Sequence, residues 1–278
     1  MLSLEISGAL AKAITPSKGI PEQEFVTLRT RMKRHIENWL HEREGGDHAW
    51  SMDPYDKRVL KQVEDIAAFA QAEKVRTVVW IGIGGSGLGP QVIQECLEGP
   101  DTMEFILFDT LDPAIISMYM EIIDWKHTLL VVASKSGNTL EPMSLFFLCY
   151  EQMKKARGDK ASKFTIAITD PHAGPLRAIA LEENIEILPI PPSVGGRFSI
   201  FTPIGLLPVA LLGGSVQSFL KGAKEMDTLC QNTVLDENPA ALLATVQFLL
   251  DTKLDYPVRV IMPYSQRLAH RCWHESVH

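Results

Sequence analysis

Apolar residues near the start of the chain recur every three or four positions, which is the spacing of one face of an α-helix. They are Phe25, Leu28, Met32, Ile36 and Leu40. Gly45-Gly46-Asp47 interrupts this pattern, and Asp53-Pro54 is expected to begin a second helix. The apolar face of that helix comprises Leu60, Val63, Ile66 and Ala70. Residues 1–50 are therefore predicted to form a helical segment that precedes the main domain.

From Val75 onward, short continuous apolar runs alternate with amphipathic stretches. The runs are predicted strands, at Thr77–Ile83, Phe105–Phe108, Thr128–Ser134, Phe164–Ile168 and Ile185–Leu188. The stretches between them are predicted helices, at Gly87–Leu97, Asp112–Ile123, Leu140–Lys155 and Pro175–Glu182. Continuous apolar strands separated by helices are typical of a parallel sheet that is covered on both faces. The sequence thus predicts an α/β fold, a three-layer α-β-α sandwich with a five-stranded, mainly parallel sheet.

The remainder of the chain is predicted to be mostly helical. Helices are expected at Phe198–Leu212, Val216–Leu229 and Pro239–Leu250, and a buried strand at Val258–Met262. Residues 51–232 would then form one complete α/β domain, and residues 233–278 the start of a second one that is cut short. The uncharged run from Phe198 to Leu220 is long enough to span a membrane, but its prolines and glycines favour a buried core helix.

Composition narrows the range of partners. The chain has 278 residues and a formal net charge of −7, which argues against a nucleic acid or an anionic membrane as a partner. Its four cysteines, at positions 96, 149, 230 and 272, lie far apart and lack metal-ligand spacing. We therefore expect reduced thiols, a cytoplasmic location and no metal site.

A glycine-rich segment, Gly82–Gly89, joins the first predicted strand to the helix that follows it. Glycines let the backbone approach a ligand closely, and the amides and dipole of a helix start attract an anion. Ser86 adds a hydroxyl. The segment also satisfies G-x-G-x-x-G, with Asp109 after the next strand at about the position of a ribose-binding acid, so a dinucleotide site and a ligand-free turn stay open.

A second loop, Ser134–Thr139, also follows a strand and precedes a helix. The hydroxyls of Ser134, Ser136 and Thr139 suit the oxygens of a phosphate. The alternative is a helix cap, formed by Ser136 or Asn138 with Glu141 in the first turn. Because parallel strands end at the same edge of a sheet, we expect the two loops to flank one small ligand. This pairing favours a phosphosugar over a dinucleotide.

A third motif, Ser193–Ser199, contains two glycines before Arg197. An arginine at a helix start can stabilise an oxyanion such as an enediolate. A salt bridge between Arg197 and a carboxylate at the edge of the core is equally compatible with the pattern.

In this order and at these distances, the three motifs resemble the glucose-6-phosphate isomerase (phosphoglucose isomerase) family, from Gly82 to about Tyr264. Members of that family contain two sugar-isomerase (SIS) subdomains and interconvert an aldose phosphate and a ketose phosphate through a cis-enediolate. The resemblance implies glucose 6-phosphate and fructose 6-phosphate as substrates, in glycolysis and gluconeogenesis. It also implies that no metal or organic cofactor takes part and that the full-length form is a homodimer.

The resemblance also assigns roles to residues. The phosphate would be held by Ser134, Lys135, Ser136 and Thr139, with Lys135 contributing its backbone amide. The sugar would lie against Gly85, Ser86 and Glu141. Arg197 would stabilise the enediolate that forms as a proton moves between C1 and C2.

The family's base is a glutamate in a Glu-Ser-x-Gly-Lys motif, on a helix after a strand like Val258–Met262. Glu275-Ser276 matches the start of this motif, but Val277-His278 does not continue it. Counted from Tyr264, Glu275 also lies about six residues before the position of the family's glutamate. On a helix, a displacement of six residues rotates a side chain by roughly −120°. We therefore expect a fragment of a longer isomerase with little activity of its own, in which Glu275 is the candidate base.

Three functions follow from these patterns. The first is the isomerase, the second a non-catalytic SIS-type module that binds a sugar phosphate, and the third an NAD-dependent dehydrogenase. The Gly-Gly-Arg motif favours the isomerase over the module. The hydroxyl-rich second loop disfavours the dehydrogenase, which has no use for it.

Overall fold

The computed structural model of the protein describes residues 3–268. Contacts between Cα atoms divide the chain into two compact units. The larger unit comprises Met52–Leu220 and the described residues from Met262 onward, and it contains the β-sheet. The smaller unit comprises Lys221–Ile261 and the described residues up to Ser51, and it is helical.

The larger unit is built on one five-stranded parallel sheet with the strand order β2-β1-β3-β4-β5. The strands are β1 (Thr77–Ile81), β2 (Glu104–Phe108), β3 (Thr128–Ala133), β4 (Thr165–Thr169) and β5 (Glu186–Pro189). Every residue of β1, β3 and β4 is buried, as expected for strands that are covered on both faces. The predicted α/β fold with a parallel five-stranded sheet is confirmed.

Nine α-helices occur within the described residues. They are α1 (Glu22–Glu44), α2 (Leu60–Ala72), α3 (Gly85–Leu97), α4 (Pro113–Ile122), α5 (Leu140–Arg157), α6 (Pro175–Glu182), α7 (Pro203–Leu211), α8 (Val216–Cys230) and α9 (Pro239–Leu254). On one side of the sheet, α2 and α3 pack against α7, whereas α5 packs against β1 and β3, and α6 against β4 and β5. The connection from β1 to β2 runs across the sheet in the opposite direction to the later connections. Right-handed connections therefore place α3 on the face opposite α4, α5 and α6. The core thus lies in two layers, one on each face of the sheet.

The smaller unit has a separate core, to which α1 and α9 contribute. Phe25 and Ile36 of α1 are buried in the same cluster as Leu242, Val246 and Leu249 of α9. The apolar face predicted for α1 is therefore confirmed. A buried ion pair joins Arg43 of α1 to Asp227 of α8 at 2.9 Å.

Two predicted helix boundaries were wrong, each for a local reason. Asp53 and Pro54 lie in a 3₁₀ helix, Ala49–Tyr55, and α2 begins only at Leu60. The side chain of Asp56 accepts a hydrogen bond from the Arg58 amide at 2.9 Å, which favours a turn at that point over a continuing helix. The helix predicted for Phe198–Leu212 is a 3₁₀ helix, Gly196–Phe201, followed by α7, because the proline at 203 holds the residue before it extended.

The strand predicted for Val258–Met262 was also wrong. The segment is irregular and pairs with no strand among residues 3–268. Val258 is 78% exposed and Met262 is 76% exposed. An apolar run becomes a strand only when a neighbouring strand completes its hydrogen bonds, and neither edge of the sheet does so for this segment.

The uncharged run between Phe198 and Leu220 contains α7, of which all but Ala210 is buried in the core of the larger unit. Within residues 3–268, no helix combines the length and the apolar composition needed to cross a bilayer.

One carboxylate in the larger unit, that of Asp53, is buried without a full set of hydrogen-bond partners among the described residues. Asp53 is only 9% exposed, and its Oδ2 has no hydrogen-bond partner within the described part of the chain. Burial raises the pKa of the Asp53 carboxyl to about 7, with a further increase from Asp56 and an opposing effect of Arg58. Burying a charge without a partner destabilises the folded state, and the raised pKa expresses that cost.

We expect Asp53→Asn to stabilise the protein as the pH rises. The folded-state pKa of about 7 lies above the ordinary 3.8, so the contribution of Asp53 to stability is complete below pH 4 and is lost as the pH rises through 7. The free energy of unfolding of the variant should therefore exceed that of the native chain by about 1–3 kcal/mol at pH 8 and match it near pH 4. Urea denaturation at the two pH values measures this difference.

Asp56→Asn is the matched control. A side-chain hydrogen bond from Arg58 lowers the pKa of Asp56, so its stabilising effect is present at neutral pH and is lost as the pH falls. This variant should therefore lose stability at pH 8. An Asp53→Asn effect of equal size at pH 4 and pH 8 would contradict the assignment.

Candidate functional site

The loops that follow β1 and β3 meet at the carboxyl edge of the sheet. The two strands pair in parallel from Thr77 beside Thr128 to Ile81 beside Val132, so they end at the same level. The crossover direction reverses between them, and open α/β sheets bind ligands at such a point. A cavity of about 400 Å³ lies there. It is lined by Ile83, Gly84, Ser86, Ala133, Ser134, Lys135, Ser136, Thr139, Pro142 and Asp170.

The loop after β1 is shaped mainly by contacts within itself. The indole Nε1 of Trp80 donates a 2.8 Å hydrogen bond to the Ser86 carbonyl. A Cβ on Gly82 would lie 2.5 Å from that same oxygen, and a Cβ on Gly87 would lie 2.4 Å from the Gly82 oxygen. Two glycines of the G-x-G-x-x-G pattern are therefore explained by packing inside the turn. Within the segment that matches this pattern, the residues that line the cavity are Ile83, Gly84 and Ser86.

The loop after β3 presents hydroxyls together with the start of a helix. The Ser134 Oγ accepts a hydrogen bond from the Gly137 amide at 3.2 Å, which leaves its own hydrogen available for a ligand. The hydroxyl oxygens of Ser136 and Thr139 lie 3.4 Å apart. Thr139, rather than Ser136 or Asn138, is the N-cap of α5, and its side chain makes no capping hydrogen bond. The first-turn amides of α5 therefore lack the side-chain partner that a cap would supply.

The side chain of Lys135 is used inside the protein. Its Nζ donates to the carbonyl oxygens of Pro192 at 2.5 Å and Val194 at 2.8 Å. These carbonyls belong to the segment that leads into the third motif. Lys135 therefore joins the second loop to that segment, and its positive charge stays beside the cavity that it lines.

A direct backbone contact joins the third motif to the first loop. A Cβ on Gly85 would lie 2.1 Å from the Gly196 oxygen and 3.0 Å from the Arg197 amide nitrogen. Only a glycine at position 85 permits this approach. The structure thus brings all three motifs together, although the exposed side chain of Arg197 is not among those that line the cavity.

The three motifs lie within a region that matches a known protein family. The family model described as phosphoglucose isomerase matches residues 25–274. The chain belongs to the phosphoglucose isomerase family. The resemblance inferred from the three motifs is therefore confirmed.

Individual relatives agree with this family. The chain is 37% identical over 211 residues to the glucose-6-phosphate isomerase of Carboxydothermus hydrogenoformans, a match that covers 71% of this chain and 45% of that relative. Among solved structures, the TM-score is 0.78 to a hypothetical protein from Thermus thermophilus, with 31% identity over 90% of this chain and 58% of that one. For a glucose-6-phosphate isomerase from Chlamydia trachomatis, the TM-score is 0.68, with 29% identity over 78% of this chain and 42% of that one. The chain spans about half the length of the curated relatives that it matches.

Three of the described residues assigned from the phosphoglucose isomerase motifs are not among those that line the cavity, namely Gly85, Glu141 and Arg197, and a fourth lies outside the described chain. Glu141 is exposed in the first turn of α5 and is not among the cavity-lining residues. Glu275, the candidate base, lies outside the described residues 3–268. Within that range, no three His, Cys, Asp or Glu side chains are grouped as a metal ion would require.

The sequence patterns missed Asp170, which lines the cavity at the end of β4. Its Oδ1 accepts hydrogen bonds from the amides of His172 at 2.7 Å and Ala173 at 3.1 Å. These two bonds lower the pKa of Asp170, so the carboxylate is ionised at neutral pH. Its position directly after a buried strand was a usable signal, since the loops after β1 and β3 were identified on the same ground.

We expect Gly85→Ala to disrupt the contact between the first loop and the third motif. The new methyl group would overlap the Gly196 backbone, and overpacking of this kind costs about 1–3 kcal/mol. Gly196→Ala is the matched control, because a Cβ there meets nothing within 4 Å. Urea denaturation of both variants measures the difference, and equal stabilities would show that the contact is not tight.

Proposed function

We propose that this chain carries the phosphate-binding part of a glucose-6-phosphate isomerase, which interconverts glucose 6-phosphate and fructose 6-phosphate through a cis-enediolate. The observation that supports this most directly is the hydroxyl-lined cavity at the β1–β3 switch point, in a chain of the phosphoglucose isomerase family. The proposal includes a homodimeric full-length form that acts in the cytoplasm. The free thiols of Cys96, Cys149 and Cys230 are compatible with that compartment.

The phosphate is proposed to bind at the start of α5. The hydroxyls of Ser134, Ser136 and Thr139 would donate to its oxygens, together with the backbone amide of Lys135. The positive end of the α5 dipole favours the phosphate charge. The ammonium of Lys135 adds an attractive field although its hydrogen bonds go to carbonyls. Such local attraction is needed in a chain whose net charge is −7.

The sugar is proposed to lie on the cavity side of the first loop and the third motif. Gly85, Ser86 and Glu141 would face it, and Arg197 would stabilise the negative charge that develops on the enediolate oxygen. The backbone contact between Gly85 and Gly196 supports this arrangement, because it fixes the start of the Arg197 segment beside the first loop. Proton transfer between C1 and C2 needs a carboxylate base, for which Glu275 remains the prediction.

The domain division stays part of this proposal. Residues 51–232 would form the first SIS-type domain, and residues 233–278 would belong to a second one. The fold of Met52–Leu220 as one compact unit supports the first of these assignments.

Binding is tested by thermal unfolding with fructose 6-phosphate. A ligand present at about a hundred times its Kd should raise Tm by roughly 5 °C. Fructose should have little effect because it carries no phosphate, and NAD should have little effect because its phosphates form an internal diphosphate, whereas the proposed site takes a terminal phosphate. The Ser134→Ala/Thr139→Val double variant should lose most of the shift, whereas Ser117→Ala, on an exposed part of α4, should keep it. A shift that survives the double variant, or an equal shift with NAD, would refute the proposed site.

Turnover separates the isomerase from a binding module. We expect residual conversion of fructose 6-phosphate in a coupled assay, and Arg197→Met should reduce it at least about tenfold, since removal of one oxyanion-stabilising group typically costs that much or more. Binding without detectable conversion would fit both a non-catalytic module and a part of the enzyme that lacks its base, whereas conversion that Arg197→Met leaves unchanged would refute the role proposed for Arg197.

Asp170→Asn should tighten the binding of inorganic phosphate. The ionised carboxylate of Asp170 shares the cavity with the proposed phosphate site, and like charges across a solvated gap weaken binding by about two- to fivefold. The amide should keep the hydrogen bonds from His172 and Ala173, so the turn is retained. Titration calorimetry at low salt measures the change; unchanged binding would place the phosphate away from Asp170, and weaker binding would contradict the repulsion.

A further inference from the structure

A second cavity, of about 380 Å³, lies in the larger unit. Five prolines make most of its apolar wall, namely Pro171, Pro189, Pro191, Pro192 and Pro203. Its volume is within the range of small-molecule sites, and rigid proline walls need little ordering when a ligand binds. This second cavity shares no lining residue with the first cavity.

Among the charged side chains that line this cavity, one carboxylate has no positively charged partner. Asp56 holds Arg58 through contacts of 2.6 Å to Nη2 and 2.9 and 3.0 Å to Nε, so these two charges neutralise each other. Asp53 lines the same cavity, is more than nine-tenths buried, and has an Oδ2 without a partner among the described residues. His172 is the other titratable side chain of the wall.

We propose that this cavity binds a small organic cation, a primary ammonium compound with a short aliphatic body, and that the ammonium pairs with Asp53. The proline wall would enclose the aliphatic part. The proposal is independent of the isomerase function.

Other classes of ligand fit these groups less well. An anion would be repelled by Asp53 and gains nothing from Arg58, whose guanidinium is already held by Asp56. A neutral apolar ligand would remove more water from Asp53 without giving it a partner. A metal ion needs several ligating side chains, and the described residues contain no group of three.

The environment of Asp53 predicts how binding depends on pH. An ammonium pairs with the ionised carboxylate, and burial holds the pKa of Asp53 at about 7. Binding should therefore be tighter at pH 8 than at pH 6, because at pH 6 a proton must first leave Asp53. Asp56 and Arg58 stay charged through this range as a pair, and His172 is the other titratable side chain that lines the cavity.

The test uses three probes that differ only in the head group: n-butylamine, 1-butanol and butyrate. Ligand-observed NMR on the 278-residue chain at pH 8 should detect n-butylammonium, with at least tenfold weaker binding of 1-butanol and butyrate. Asp53→Asn should reduce n-butylammonium binding at least tenfold, and Asp65→Asn, which removes an exposed carboxylate on α2, should leave it unchanged. A saturating concentration of inorganic phosphate should not displace the amine.

Several results would overturn the proposal. Equal binding of n-butylammonium and 1-butanol by the native chain would show that charge pairing plays no part, whatever the stability of the variants. Binding that Asp53→Asn leaves intact would place the amine elsewhere. Displacement by phosphate would assign it to the first cavity. Failure of the phosphosugar proposal would leave this result unaffected, because the probes carry no phosphate and the variant lies outside the phosphate loops.

Discussion

The parallel pairing of β1 with β3 determines where the groups of the candidate site can lie. The two strands run side by side from Thr77 and Thr128 to Ile81 and Val132, and both are fully buried. Their burial restricts the register, since a slip would exchange the side chains that pack against the helices on the two faces. The loops that follow must therefore leave the sheet at the same height and on either side of one crevice. The hydroxyls and the helix start meet there as a consequence of strand pairing.

Two contacts then attach the third motif to this frame, and both involve the backbone. The Lys135 ammonium binds the carbonyls of Pro192 and Val194, while Gly85 allows the Gly196 backbone to approach. Neither contact depends on the identity of the side chains on the third motif. The position of that segment is thus set by the loops that follow β1 and β3. A substitution in either loop is therefore expected to displace the Arg197 segment as well.

Features that depend on nearby residues could be predicted from the sequence, whereas features that depend on distant ones could not. Apolar runs predicted the five strands, and helical spacing predicted the buried faces of α1 and α2. Both could be predicted because each pattern reflects the burial of a single element. The role of Lys135 was not predictable, since its partners lie in a segment far along the chain. The strand prediction for Val258–Met262 was wrong for a related reason. The composition of this segment suits a strand, but a strand also needs a neighbouring strand to complete its hydrogen bonds. Asp170 was missed although the signal, a polar residue after a buried strand, was present.

The contact between Gly85 and Gly196 joins residues more than a hundred positions apart in the sequence. Forming it requires closure of a long loop, which costs entropy and comes after the local helices and neighbouring strands have formed. The cavity walls from β1, β3 and β4 can assemble early, but the third motif joins them late. A folding chain would therefore form the loops after β1 and β3 before the Arg197 segment packs against them, and that segment would detach first on unfolding.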